Sequence, residues 1–161
     1  MSLKNSLFVL SVTLLLVSCD KKRVFDKYKS VGSSWQKDSV VTFKFNSPDT
    51  TKPYNLYVNI RDNNDYQFSN LFLIVALEQP GGLTKVDTLQ YKMTEADGTL
   101  LGDGFTDIKE NKLFYKEKMK FAKTGEYKVS IKHAVRQTGK IPGIAQLAGI
   151  TDVGFRIEST E

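Results

Sequence analysis

The chain is poor in the residues that carry most chemistry. Among 161 residues there is one cysteine, one histidine, one tryptophan and only four prolines. A lone cysteine cannot close an intrachain disulfide, so a small stapled scaffold is excluded. Zinc sites draw heavily on His and Cys, and one of each is too few to build one. Low Pro and Gly exclude collagen-like and low-complexity organisation. Beyond the N-terminus no apolar run approaches the ~20 residues of a bilayer-crossing helix, so a multi-span helical protein is excluded as well. Charge of one sign is also scarce. The net charge of +5 is mild and its basic residues are interleaved with acids, which does not imply nucleic acid. With 40% hydrophobic and 25% charged residues the composition is that of a soluble domain. The length favours one domain over two at roughly 100–200 residues each.

The N-terminus carries an address. Lys4 lies in a short polar start, and Leu7 to Val17 is almost wholly apolar but too short to span a bilayer. Leu16-Val17-Ser18-Cys19 resembles the bacterial lipobox, in which a small residue precedes the cysteine that receives the lipid. Cleavage between Ser18 and Cys19 is expected, with diacylglycerol on the Cys19 sulfur. Two or three acyl chains make such anchoring stable, at about 0.8 kcal/mol per buried methylene. Residues 1–18 read as the signal peptide, 19–34 as the lipidated N-terminus and tether, and 35–161 as the folded domain. Asp20 to Lys29 reads as a solvated basic linker, within reach of anionic headgroups.

The remainder reads as strands. Val41, Phe43 and Phe45 alternate with polar residues, as do Leu56, Val58 and Ile60. Asn70 to Glu78 is apolar on both faces, which predicts a central strand covered on both sides or, less well, a short buried helix. Val86–Met93, Thr99–Phe105, Lys112–Phe121, Glu126–Val135 and Asp152–Glu158 are further predicted strands, while Ile144–Ala148 is expected to close one helical turn. Eight short strands with turn signals between them predict an all-β, two-sheet antiparallel sandwich, either jelly-roll or immunoglobulin-like.

Catalytic chemistry finds little support. His133 lies in phase with Tyr127, Val129 and Ile131 and reads as a core or rim histidine. Asp97, Asp103, Asp107 and Glu110 lack the alternate-position spacing of a calcium loop, and turn chemistry accounts for the Asp-Gly pairs. No metal, cofactor or catalytic residue is therefore expected, apart from the covalent lipid on Cys19. Aromatics near polar residues are better candidates, because such residues are enriched at interfaces. Arg61, Tyr66, Phe68, Phe114 and Tyr115 form the candidate partner-binding set. Tyr57 and Tyr66 beside the Arg61–Asp65 loop also suit a glycan-binding lipoprotein, which is the alternative reading. Trp35, close to the tether, is expected to report poorly on such binding.

Several segments resemble one family. Asp49 to Leu56, Ile60 to Phe72, Thr106 to Lys116 and Gly149 to Glu158, together with the lipobox at Cys19, resemble the GldH family of gliding-motility lipoproteins. The resemblance covers about residues 24–158. It implies a non-enzymatic envelope lipoprotein of Bacteroidota that serves the gliding machinery and is linked to type IX protein secretion. It also implies a lipid anchor at the outer membrane facing the periplasm, with protein components of that machinery as partners. The absence of a run of acids after Cys19, where Asp20, Lys21 and Lys22 stand, agrees with a periplasmic face. Only the acylated cysteine carries over as a functional residue.

Overall fold

A computed structural model describes residues 20–161, and the expected signal peptide and Cys19 lie outside the described residues. The described chain forms strands β1 (Arg23–Ser30), β2 (Ser34–Gln36), β3 (Val41–Asn46), β4 (Tyr54–Asp62) and β5 (Asn70–Glu78). These are followed by β6 (Thr84–Lys92), β7 (Lys109–Met119), β8 (Glu126–His133), β9 (Gln146–Ala148) and β10 (Ile150–Ser159). One sheet has the order β1-β10-β4-β7 and the other β3-β8-β5-β6, with β2 and β9 as a separate pair. Every pairing is antiparallel.

This order decides between the two expected sandwiches. Leaving aside the short β2 and β9, the first long strand lies beside the last, followed by the third and sixth. The second lies beside the seventh, followed by the fourth and fifth. That is the double Greek key of a jelly roll. An immunoglobulin sheet would instead place the first two strands side by side.

The alternation seen in the sequence supplies the core. Leu56, Val58 and Ile60 of β4 and Val153, Phe155 and Ile157 of β10 are fully buried, facing Leu73, Val75, Val129 and Ile131 of the other sheet. Aromatic rings cross between the sheets: Phe45 stacks on Phe155 at 5.7 Å, and Phe121 meets Tyr54 at 5.9 Å and Tyr127 at 5.0 Å. One open side is closed by polar contacts, where the Tyr91 hydroxyl donates to the Phe114 carbonyl at 2.6 Å and the Tyr115 hydroxyl to Asp87 at 2.9 Å.

Several expectations change. The segment expected as a solvated tether is largely β1, an edge strand in register with β10 from Arg23↔Glu158 to Ser30↔Asp152. Its burial pattern is mostly exposed, so no apolar alternation announces it. Ile144–Ala148 forms no helical turn; Gln146–Ala148 pairs with β2 and brings Leu147 opposite Trp35. Thr99–Phe105 forms only isolated bridges, Thr94↔Leu100 and Asp103↔Glu110. Gly102 at φ 102° and Gly104 at φ 155° interrupt the extended backbone there. Asn70–Glu78 is the expected central strand, yet its two faces differ. Leu71, Leu73, Val75 and Leu77 are buried, while Phe72, Ile74 and Ala76 are only half-buried on the outer face. Trp35, expected close to the tether, is fully buried, and its indole donates to the Ser39 carbonyl at 2.9 Å.

The corner between β9 and β10 needs a glycine. Gly149 has φ 84°, and a Cβ there would lie 2.2 Å from the Tyr66 nitrogen. Gly149→Ala should therefore cost more than about 1 kcal/mol. The emission of the single buried tryptophan during urea unfolding measures the loss.

Candidate interaction surfaces

The structure separates the five residues of the expected partner-binding set. Tyr66 is 5% exposed and its hydroxyl donates to the Asn70 carbonyl at 2.9 Å. Tyr115 is equally enclosed, with its hydroxyl on Asp87. Both are core residues with a satisfied polar tip. Phe68 is half-buried, its ring edge-on to Tyr66 at 5.8 Å. Only Arg61 and Phe114 share a face, the outer side of the β1-β10-β4-β7 sheet.

That face is occupied mainly by its own side chains. Tyr28 of β1 lies across Gly154, where a Cβ would stand 2.8 Å from the ring. The Tyr28 hydroxyl donates to Glu110 of β7 at 2.8 Å. The Arg61 guanidinium stacks on the same ring at 4.1 Å and donates to the other Glu110 oxygen at 3.0 Å. Burial and the Glu110 carboxylate push the Tyr28 hydroxyl well above its ordinary pKa. Next along the sheet, Arg156 donates to Asp20, to Asp26 at 2.6 Å and to Glu158 at 2.6 Å, and Lys112 also reaches Glu158 at 2.6 Å. Burial opposes the Arg156 charge, but the carboxylates outweigh it and raise its pKa. Tyr57 and Phe114 meet edge to face at 5.5 Å, with Lys112 over the Tyr57 ring at 4.3 Å.

The opposite face is freer. On the outer side of β3-β8-β5-β6, Phe72, Ile74, Thr88, Ala134 and Arg136 line an open depression of ≈ 410 Å³. A neighbouring cleft adds Lys37, Lys132 and Ile141, the last being 88% exposed. Half-buried apolar groups rimmed by cations have the composition of a protein-binding patch. Sequence reasoning placed none of these residues in a site. Its signal was present in the two-faced apolar run of residues 70–78, which implied a cover for each face.

Two buried titratable groups stand apart from the exposed side chains: His133 at the floor of the Lys37–Ile141 cleft, and Asp62. His133 Nε2 donates to the Trp35 carbonyl at 3.0 Å while Nδ1 has no partner, and burial pushes its pKa down. His133 is a core histidine, as expected. Asp62, at the end of β4, accepts from Asn111 at 2.8 Å, and its second oxygen has no partner. Asp103 and Glu110 face each other across a backbone bridge, while Asp97 sits in a separate turn. Glu110 serves Tyr28 and Arg61, Asp97 caps the Thr99 amide at 2.9 Å, and no acid–histidine group suited to a metal occurs among the described residues.

The fold and surfaces define a jelly-roll domain with one self-occupied polar face and an opposite face on which an open apolar depression lies among polar residues. The GldH lipoprotein family matches residues 23–157, and the chain belongs to that family. It is 66% identical over 161 residues to the gliding motility lipoprotein GldH of Flavobacterium johnsoniae, covering 100% of both chains. It is 53% identical to the GldH homolog of Christiangramia forsetii, covering 97% of this chain and 96% of that one. Among solved structures, a family GH115 4-O-methyl-alpha-glucuronidase aligns at TM-score 0.46 and 14% identity, over 89% of this chain and 18% of the enzyme. That likeness is too low to bear on fold or activity. The chain is thus a gliding-motility lipoprotein of the cell envelope.

Burial raises the Asp62 pKa from 3.8 to about 7. The folded state therefore binds this proton more tightly than the unfolded chain, and stability falls as pH rises from 3.8 through about 7. Asp62→Asn should stabilise the protein near pH 8 by about 1–3 kcal/mol and have little effect near pH 4. Thermal unfolding at both values checks the sign.

Proposed function

We propose that this chain is a non-enzymatic docking component of the gliding machinery and is linked to type IX protein secretion. In this reading Ser18–Cys19 is the cleavage site and Cys19 carries the lipid. The anchor sits at the outer membrane with the domain in the periplasm. The observation that carries the function is the 66% identity over full length to a gliding motility lipoprotein. The open Phe72–Ile74 face supplies a surface through which such a component can hold a partner. The cationic rim of Lys132 and Arg136 favours a partner presenting apolar groups flanked by carboxylates. The non-enzymatic reading is supported by the only histidine being buried against Trp35.

The glycan alternative loses its platform. Tyr66 is enclosed, and the Tyr57 ring is covered by Lys112 and the edge of Phe114. The partner-binding role first assigned to Tyr66 and Tyr115 moves to Phe72 and Ile74 for the same reason.

The test is complementation of Flavobacterium johnsoniae cells lacking their own GldH, using a C-terminally tagged copy and in-cell crosslinking. The unaltered chain should restore colony spreading and release of secreted enzymes, and should capture machinery proteins. Ile74→Glu should keep native tryptophan emission yet reduce capture by more than about tenfold, as expected when a central interface residue is lost. Undiminished capture by Ile74→Glu would remove this face from the proposal. Spreading without restored secretion would remove the link to type IX export.

A further inference from the structure

The geometry points to an end-on seating of the sandwich against anionic phospholipid headgroups, with the lipidated N-terminus clamped to the fold. This inference rests on the reading of Cys19 as lipidated. Asp20, the residue bonded to Cys19, is held three times over. Its carboxylate accepts from Arg156 and from the Lys22 amide at 3.3 Å, and its carbonyl accepts from the Arg23 amide at 3.2 Å. The Lys22 carbonyl in turn accepts from the Ser159 amide at 2.8 Å. Adjacent Cα atoms are ~3.8 Å apart, so a lipid on Cys19 leaves the chain directly at this end of the sandwich. No flexible linker separates anchor from domain.

The same end gathers the turns at residues 47–53, 79–83 and 120–125. Ser47 donates to the Gly125 carbonyl at 2.9 Å, and Lys123 reaches the Pro80 carbonyl at 3.4 Å. Lys21, Lys22, Arg23, Lys118, Lys120 and Lys123 lie here, and none of them makes an ion pair among the described residues. Most acids nearby are spent: Asp20 and Glu158 on Arg156, Glu126 on Lys44, and Glu78 on Lys128. Asp49, Glu117 and Glu161 remain as the opposing charge, and Glu161 is shared with Lys52. Leu83, 58% exposed, tips one of these turns. A basic end with an apolar tip suits an anionic bilayer surface, whose potential acts within a Debye length of ~8 Å. The opposite end, bearing exposed Phe105 and Ile141, stands roughly 30 Å away by the rise of a nine-residue strand.

The test uses the full lipidated chain in phosphatidylcholine vesicles with and without phosphatidylglycerol. Because the only native cysteine is acylated, a fluorophore on Lys120→Cys or Phe105→Cys marks one position. A headgroup-attached quencher lipid should quench the label at 120 in phosphatidylglycerol vesicles and leave the label at 105 bright. Lys118→Glu with Lys123→Glu should cut quenching at 120 by about threefold, and Asp20→Ala should also reduce it. Tryptophan emission verifies that each variant is folded. Equal quenching at both positions, or quenching at 120 indifferent to lipid charge and to charge reversal, overturns the seating alone. Mass spectrometry showing no acyl group on Cys19 overturns the lipidation reading and the seating with it.

Discussion

The ladder between the first and last strands, β1 and β10, is the constraint on which the end of the sandwich that holds the N-terminus depends. β1 buries little of its own surface, so hydrophobic packing alone does not hold it. Apart from the Arg23 amide on Asp20, its backbone pairs with β10, and the Tyr28 and Asp26 side chains fasten it further. Tyr28 reaches across β10 and β4 to Glu110 on β7, while Asp26 meets Arg156. Gly154 makes the first contact possible by leaving room for the ring. An aromatic covering a strand glycine restores packing where the missing side chain would otherwise leave a gap.

The strands legible in the sequence were those whose two faces differ in polarity. β3, β4, β5 and β8 alternate between core and solvent or carry a long apolar run, and their positions follow from that period alone. β1 was illegible because an exposed edge strand has no apolar face to betray it, and its lysines resemble those of a linker. β9 was illegible because three residues are too few to show a period. In the opposite sense, Thr99–Phe105 had hydrophobic residues at strand-like spacing. Its glycines take up left-handed backbone, and Phe105 ends fully exposed. Topology also lay beyond local pattern, since the position of β10 between β1 and β4 is a long-range pairing.

The interaction surfaces were legible in outline only. Phe114 and Tyr115 are adjacent on β7, so one had to face outward; the structure exposes Phe114 and turns Tyr115 inward. Residue type gave no means of ranking them, because a tyrosine whose hydroxyl finds a partner can be buried at little cost. Tyr66 illustrates the same point, with the Asn70 carbonyl as acceptor. Ile74 and Phe72 were overlooked for the opposite reason. They look like core residues, and only the sheet order shows that no third layer covers their face among the described residues.

If the proposed docking face and membrane seating hold, the N-terminal clamp sets an order of assembly for the domain. A protein tethered by a flexible linker samples many orientations and loses that freedom when it binds. Here Arg156 joins Asp20 to the buried strand β10, so with the lipid proposed on Cys19 the anchor and the Phe72–Ile74 face would move as one body. In the proposed seating, binding to the membrane settles much of the orientation before any partner arrives. In that seating a partner would meet a face standing roughly upright on the bilayer, with β5 running from Asn70 at the outer end to Glu78 at the lipid end. A component built this way contributes position as much as affinity. This accounts for a chain that carries so little catalytic chemistry yet devotes a strand, an arginine and three carboxylates to fixing its own N-terminus.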